Sequence, residues 1–166
     1  MKHQLYLMRH AKAEPWSPLG NDFSRALSDR GNRDATTVAN WAQEELDAPD
    51  TVLCSPSKRT RQTLAPFLAR WPQLLSDTDY VDSVYGASLN MLMTLLEDAF
   101  SYSGKLMMVG HNPGFEDLLI SILNSDQAAE IDRMQTGTLA VVGFAGDFRR
   151  EARNGELIHK VRAKDL

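Results

Sequence analysis

The feature that most limits the fold of this chain is a repeated change of period. Short apolar runs, too brief for helices, are each followed by a breaker and then by apolar residues at helical spacing. Residues 4–9 (QLYLMR), 51–54 (TVLC), 105–109 (KLMMV), 138–144 (TLAVVGF) and 156–162 (ELIHKVR) read as strands, the last entered through the turn pair Asn154-Gly155. A further short strand is expected at 80–84. Ala35, Val38, Ala39, Ala42 and Leu46 mark a helix over 28–46 with Ser28 as its N-cap. Ser55 and Pro56 read as the N-cap and first position of a helix to residue 70, another helix covers 88–100, and Asn112 and Pro113 open one that ends at 123. The polar stretch 124–135 reads as a loop. Strands alternating with helices predict an α/β fold, three layers α/β/α around a mostly parallel central sheet.

No repeat, low-complexity tract or linker interrupts the 166 residues, so 1–166 is expected to form a single domain. A content of 43% hydrophobic and 24% charged residues is that of a globular protein. No apolar run has the length needed to span a bilayer, and residues 1–10 lack the pattern of a signal peptide. Cys54 is the sole cysteine, so no intrachain disulfide forms; this suits a reducing compartment, and the cytoplasm is the expected location. A net charge of −4 argues against nucleic acid or an anionic membrane as partner. Any anion must bind at a local site.

In an open α/β sheet, ligands bind beyond the carboxyl ends of the strands. Here those ends carry Arg9-His10, then Ser55-Pro56-Ser57-Lys58-Arg59, then Gly110-His111-Asn112-Pro113-Gly114. Each segment alone has a structural explanation: a satisfied polar pair, a helix cap, a tight turn. Together they deliver two arginines and two histidines to one rim of an acidic protein. Arginine matches phosphate oxygens with a planar fork of donors, and histidine serves as nucleophile or proton carrier near neutral pH.

These segments resemble the signatures of the histidine phosphatase superfamily. Leu7-Met8-Arg9-His10-Ala11 is similar to its Arg-His-Gly segment, residues 55–63 to Ser-Pro-x-x-Arg-(Ala/Thr)-x-x-Thr, and residues 110–116 to its second-histidine segment. Arg25-Ala26-Leu27-Ser28-Asp29-Arg30-Gly31 and Tyr85-Gly86-Ala87-Ser88 bring the likeness nearest to the SixA-like phosphohistidine phosphatases. The resemblance implies a phosphoglycerate mutase-like fold, no cofactor and no metal. It implies that His10 attacks phosphorus to form a phosphohistidine intermediate while Arg9, Arg59 and His111 hold the phosphoryl oxygens and Arg25 binds substrate. The implied substrate is a phosphorylated protein, with phosphohistidine as the group removed. Alternatives are a phosphatase or mutase for a small phosphorylated metabolite, and a silent phosphoprotein-binding module.

Ala11 replaces the superfamily's glycine, which ordinary backbone angles would tolerate. The carboxylic acid that protonates an alkoxide leaving group in the mutase branch has no clear counterpart: Asp82 is the nearest position, and Glu116 and Asp117 are read as favouring a helix dipole. A weak acid favours phosphohistidine, whose ring leaves more readily than an alkoxide. Lys12, Lys58 and Arg61 read as solvated or steering charges, and the 12–24 loop with Trp16 and Phe23 as the only covering segment. Cys54 and Arg59 miss the cysteine-phosphatase spacing, so Cys54 is expected to be a buried strand residue. Asp77 and Asp79 read as loop residues, and His3 and His159 as peripheral. Oligomeric state leaves no mark in the sequence.

Overall fold

The computed structural model describes residues 2–166. Six strands, β1 (His3–Arg9), β2 (Thr51–Cys54), β3 (Thr78–Tyr80), β4 (Lys105–Gly110), β5 (Leu139–Phe144) and β6 (Gly155–Val161), form one sheet in the order β3-β2-β4-β1-β5-β6. Neighbours from β3 to β1 run parallel, β5 is antiparallel to β1, and β6 is antiparallel to β5. The expected α/β sheet, mostly parallel, is therefore present.

The apolar run at β1 is explained by burial on both faces. Leu5 and Leu7 point into one layer and Tyr6 and Met8 into the other, the alternation a strand imposes. The first layer is closed by α3 (Leu89–Phe100) and α4 (Gly114–Ile122), through Leu92, Leu96, Phe115 and Leu118. The second is closed by α1 (Asp29–Glu45) and α2 (Lys58–Arg70), through Val38, Ala42, Leu64 and Phe67. Helix on sheet on helix is the predicted three-layer arrangement. Cys54 lies buried in the second layer, where desolvation pushes its thiol up to about 12.

Several local readings are corrected. The third strand ends at Tyr80, Asp79 lies within it, and Asp82–Val84 forms a 3-10 turn closed by Val84 N donating to Val81 O at 3.0 Å. The cap of α2 is Ser57, whose Oγ accepts from Thr60 N at 3.4 Å, because the Ser55 hydroxyl is engaged by His111 instead. The Asn112-Pro113 peptide is cis and α4 starts at Gly114, with Asn112 Oδ1 accepting from Glu116 N at 3.2 Å. Within 124–135 lies α5 (Ser125–Glu130), capped by Asn124 and tied to β6 by Gln127, whose Oε1 accepts from Leu157 N at 2.8 Å. None of its residues is buried, so no apolar period announced it. His3, at the start of β1 and so at the far end of that strand from Arg9, is buried and stacked on Phe100 at 4.5 Å. Among the described residues no helix is long and apolar enough to cross a membrane.

The start of α1 is fixed to the segment after β1 by close backbone approach. A Cβ on Gly31 would lie 2.0 Å from the carbonyl oxygen of Lys12, which already accepts from Ser28 N at 2.9 Å and Ser28 Oγ at 3.1 Å. Gly31→Ala must therefore displace the helix or the segment. The expected cost is about 1–3 kcal/mol, read as a lower urea midpoint at unchanged slope; an unaltered midpoint would show that the approach is not rigid.

Candidate active site

Strand register brings the three chemical segments together. Arg9 pairs with Gly110 across β1 and β4, and Cys54 with Val109 across β2 and β4, so their successors in the chain emerge side by side. The ladder continues one step beyond: His10 N donates to Gly110 O at 3.0 Å and Ser55 N to Val109 O at 2.9 Å. Position 110 demands glycine, since a Cβ there would lie 2.5 Å from the Phe115 ring. Ala11 takes ordinary backbone angles, and its N–H donates to Thr63 Oγ1 at 3.0 Å.

All five predicted site residues, Arg9, His10, Arg25, Arg59 and His111, line one open pocket of about 570 Å³, together with Lys12, Asp22, Tyr85, Asn112 and Thr136. His10 is 8% exposed, and its Nδ1 lies 2.8 Å from Ala11 O. A carbonyl oxygen only accepts, so Nδ1 carries the proton and Nε2 keeps its lone pair. The tilted His111 ring sits 5.3 Å away and is held in the opposite tautomer. Its Nδ1 accepts from Arg59 Nη2 at 3.2 Å, a donor that cannot accept, which leaves Nε2–H to donate to Ser55 Oγ at 2.8 Å. Desolvation, then the neighbouring guanidinium groups, lowers His10 to about 4 and His111 to about 3. Both rings are neutral at neutral pH.

The 55–63 segment is a positioning device. Thr60 Oγ1 donates to Ser55 O at 2.7 Å, and Thr63 Oγ1 donates to Arg59 O at 2.8 Å while accepting from Ala11 N, tying α2 to the segment that follows β1. Arg59 is 5% exposed and gives Nη1 to Asp22 O at 2.8 Å and Nη2 to Asp22 Oδ2 at 3.0 Å. Arg9 Nη1 donates to Met134 O at 2.8 Å. Glu116 sets that carbonyl in place, since its Oε2 accepts from Met134 N at 2.8 Å; the dipole reading of Glu116 is thus incomplete. The Nε groups of Arg9 and Arg59 are buried without a partner, an energetic cost that a bound anion would offset.

Sequence reasoning missed Asp22. Its carboxylate accepts from Tyr85 OH at 2.6 Å, from Arg25 Nε at 3.0 Å and from Arg59, which holds it down at about 2, with the tyrosine hydrogen bond the largest cause. The usable signal was its place three residues before Arg25, inside a loop whose base is closed by the Ala13–Leu27 bridge. Phe23 packs edge-on against Tyr85 at 5.2 Å, and Tyr85 against His111 at 5.4 Å. Lys58 and Arg61 stay outside the pocket, Arg61 turning to Pro56 O and the Tyr80 ring. Asp82 is also outside the pocket. Among the described residues no group of three or more His, Cys, Asp or Glu is placed to hold a metal ion.

The profile of the histidine phosphatase superfamily (branch 1) matches residues 5–80. An uncharacterized protein of Mycobacterium tuberculosis is 32% identical over 145 residues, covering 84% of this chain and 88% of the relative. The structure assigned as phosphohistidine phosphatase SixA from Agrobacterium tumefaciens superposes with a TM-score of 0.83 at 29% identity, over 97% of this chain and 98% of that one. Its counterpart from Nakamurella multipartitia gives 0.81 at 27% identity, over 96% and 95%. This chain belongs to the histidine phosphatase superfamily. Within it, the likeness is to the SixA-like group, as the motifs implied.

The depressed histidines leave a mark on stability. Below the ordinary value of 6.5 the unfolded chain takes up protons that folded His10 and His111 refuse until about 4 and 3, so stability is full above 6.5 and falls across that window. Near pH 5 the loss from His10 should be on the order of 2 kcal/mol. Urea unfolding of wild type and His10→Asn at about pH 8 and pH 5 measures it; the variant should lose less on acidification, and parallel losses would contradict the assignment.

Proposed function

We propose that the protein is a phosphatase that works through a phosphohistidine intermediate on His10 and removes phosphate from phosphohistidine on another protein. The observation that carries this reading is one imidazole, neutral and fixed with Nδ1 protonated, in a pocket it shares with three arginines. Such a ring offers Nε2 as a nucleophile without needing deprotonation. Guanidinium donors from Arg9, Arg25 and Arg59 take the equatorial oxygens, the electrostatic work that phosphoryl transfer asks of a protein.

In the first step the bond from His10 Nε2 to phosphorus forms as the bond to the substrate's ring nitrogen breaks. The departing ring, protonated on its other nitrogen, leaves as neutral imidazole. Positive charge develops on the His10 ring, and its Nδ1–H bond to Ala11 O strengthens. In the second step water attacks phosphorus, the Nε2–phosphorus bond breaks, and inorganic phosphate leaves with the water's proton lost to solvent. His111 joins Arg59 around the phosphoryl group; the charge of an incoming phosphoryl dianion opposes the guanidinium influence that lowers its proton affinity at rest.

The leaving group supports the substrate class. The carboxylate in the pocket, Asp22, is locked by Tyr85 and two arginines and stays ionised, so it cannot protonate an alkoxide. Imidazole leaves without that help. The pocket is open, which suits a side chain presented by a protein. We take residues 1–166 as one catalytic domain and place it in the cytoplasm, the compartment its unpaired cysteine suits.

His10→Asn should abolish turnover and the acid-labile phosphoenzyme, whereas Arg59→Lys, which loses the fork, should lower kcat about 100-fold or more. Turnover of a phosphohistidine protein, a phosphoserine peptide and sugar phosphates ranks the substrates. Preference for phosphoserine or sugar esters would overturn the leaving-group argument. Undiminished activity of His10→Asn would overturn the mechanism.

A further inference from the structure

A second cavity, about 310 Å³, adjoins the catalytic pocket and shares Lys12 and Thr136 with it as lining. Four segments of chain meet there: the residues after β1 (Lys12), the first turns of α1 (Arg30, Asp34), the 135–137 turn, and the end of the chain (Arg162, Lys164). Their convergence is built in. Gly31 holds α1 against Lys12, Gly137 N donates to His10 O at 2.9 Å, and Gly137 takes the left-handed conformation, φ 75°, that lets the turn pass close by Ala11.

The lining carries a local surplus of positive charge on a chain whose net charge is −4. Arg30 is shared with Asp34 at 3.5 Å, and Arg162 with Asp165 at 3.3 Å and with Gln135. Lys12 and Lys164 form no ion pair among the described residues. The mechanism uses none of these groups. A second phosphate site would call for closely held, free donors; here Arg30 and Arg162 are already shared with carboxylates, and the Arg30 side chain is 70% exposed. Open, partly exposed cations of this kind suit the carboxylates of an acidic segment, which they would recognise by charge complementarity.

Resting on the phosphoprotein reading of the arginine pocket, we propose that this groove is a substrate-docking site that takes an acidic peptide segment, Asp and Glu side chains, next to the phosphorylated histidine. The groove then selects which phosphoprotein is served, while the arginine pocket performs the same chemistry on any of them.

Arg30 and Lys164 lie outside the catalytic pocket, so R30Q/K164Q tests the groove alone. Wild type should hydrolyse a phosphohistidine peptide with acidic flanks at a kcat/KM about fivefold to tenfold above one with neutral flanks, as two weak exposed pairs allow. The double variant should lose that advantage through KM, and so should wild type when salt rises from about 0.05 M to about 0.5 M. Turnover of p-nitrophenyl phosphate should stay within about twofold, as screening confines a remote charge change. Equal loss on all substrates, or no preference for acidic flanks in wild type, would overturn the proposal. A small bisphosphate favoured over the acidic peptide would assign the groove to metabolites instead, which also overturns it. A separate readout is fluorescence anisotropy of an unphosphorylated acidic peptide, which should bind wild type and His10→Asn alike and R30Q/K164Q several-fold more weakly. Because that measurement needs no turnover, it fails only with the groove, whereas failure of the phosphatase reading shows in the His10-dependent assay.

Discussion

Everything in the site depends on parallel pairing of β4 between β2 and β1. Hydrogen bonds along these ladders set Arg9, Gly110 and Cys54 at nearly one level, and the next residue of each strand is the one with chemistry: His10, His111, Ser55. Slipping a strand by one residue would turn its side chains to the opposite face and move its terminal group by one rise, beyond hydrogen-bond reach of the others. Register is enforced from both sides, since the alternate residues of β1 are committed to two separate apolar layers. The core thus fixes the geometry of the polar rim.

Much of this could be read in the sequence because burial on both faces leaves an uninterrupted apolar run, and β1, β2, β4 and β5 all have one. Ser28 was legible as a cap for the same reason that it works, a short side chain oxygen before a periodic run; its Oγ accepts from Gly31 N at 3.0 Å. The arginines and histidines stand out because each sits just past the carboxyl end of a strand, where such sheets bind ligands. Features that stayed hidden are held by polar contacts between distant segments. Asp22 becomes part of the site only when the loop folds back 37 positions to Arg59, and Glu116 matters through a backbone carbonyl of Met134. Ser55 was misread as a helix cap because its hydroxyl goes to a histidine 56 residues away. The α5 helix was missed since it sets no fully buried residue at helical spacing.

The two histidines illustrate how one environment produces two tautomers. Both rings are desolvated and both face guanidinium groups, yet a backbone carbonyl fixes one tautomer and a guanidinium N–H fixes the other. The difference lies in which partner can only accept and which can only donate. Desolvation, reinforced by the arginines that crowd them, keeps both rings neutral, and one of those arginines also sets the His111 tautomer, so electrostatics and tautomer choice cannot be altered independently. Superfamily membership is consistent with this economy of parts: a handful of side chains on strand ends, with the surrounding helices supplying alignment.

The burial of Cys54 has a consequence for durability. A thiol held near 12 is almost wholly protonated under physiological conditions and shielded from solvent, so peroxides and alkylating agents find little thiolate to attack. Under the reading proposed here the attacking group is an imidazole, which stands outside the sulfur oxidation ladder altogether. On that reading, an oxidant burst that silences thiolate-dependent phosphatases would leave the attacking group here chemically unchanged.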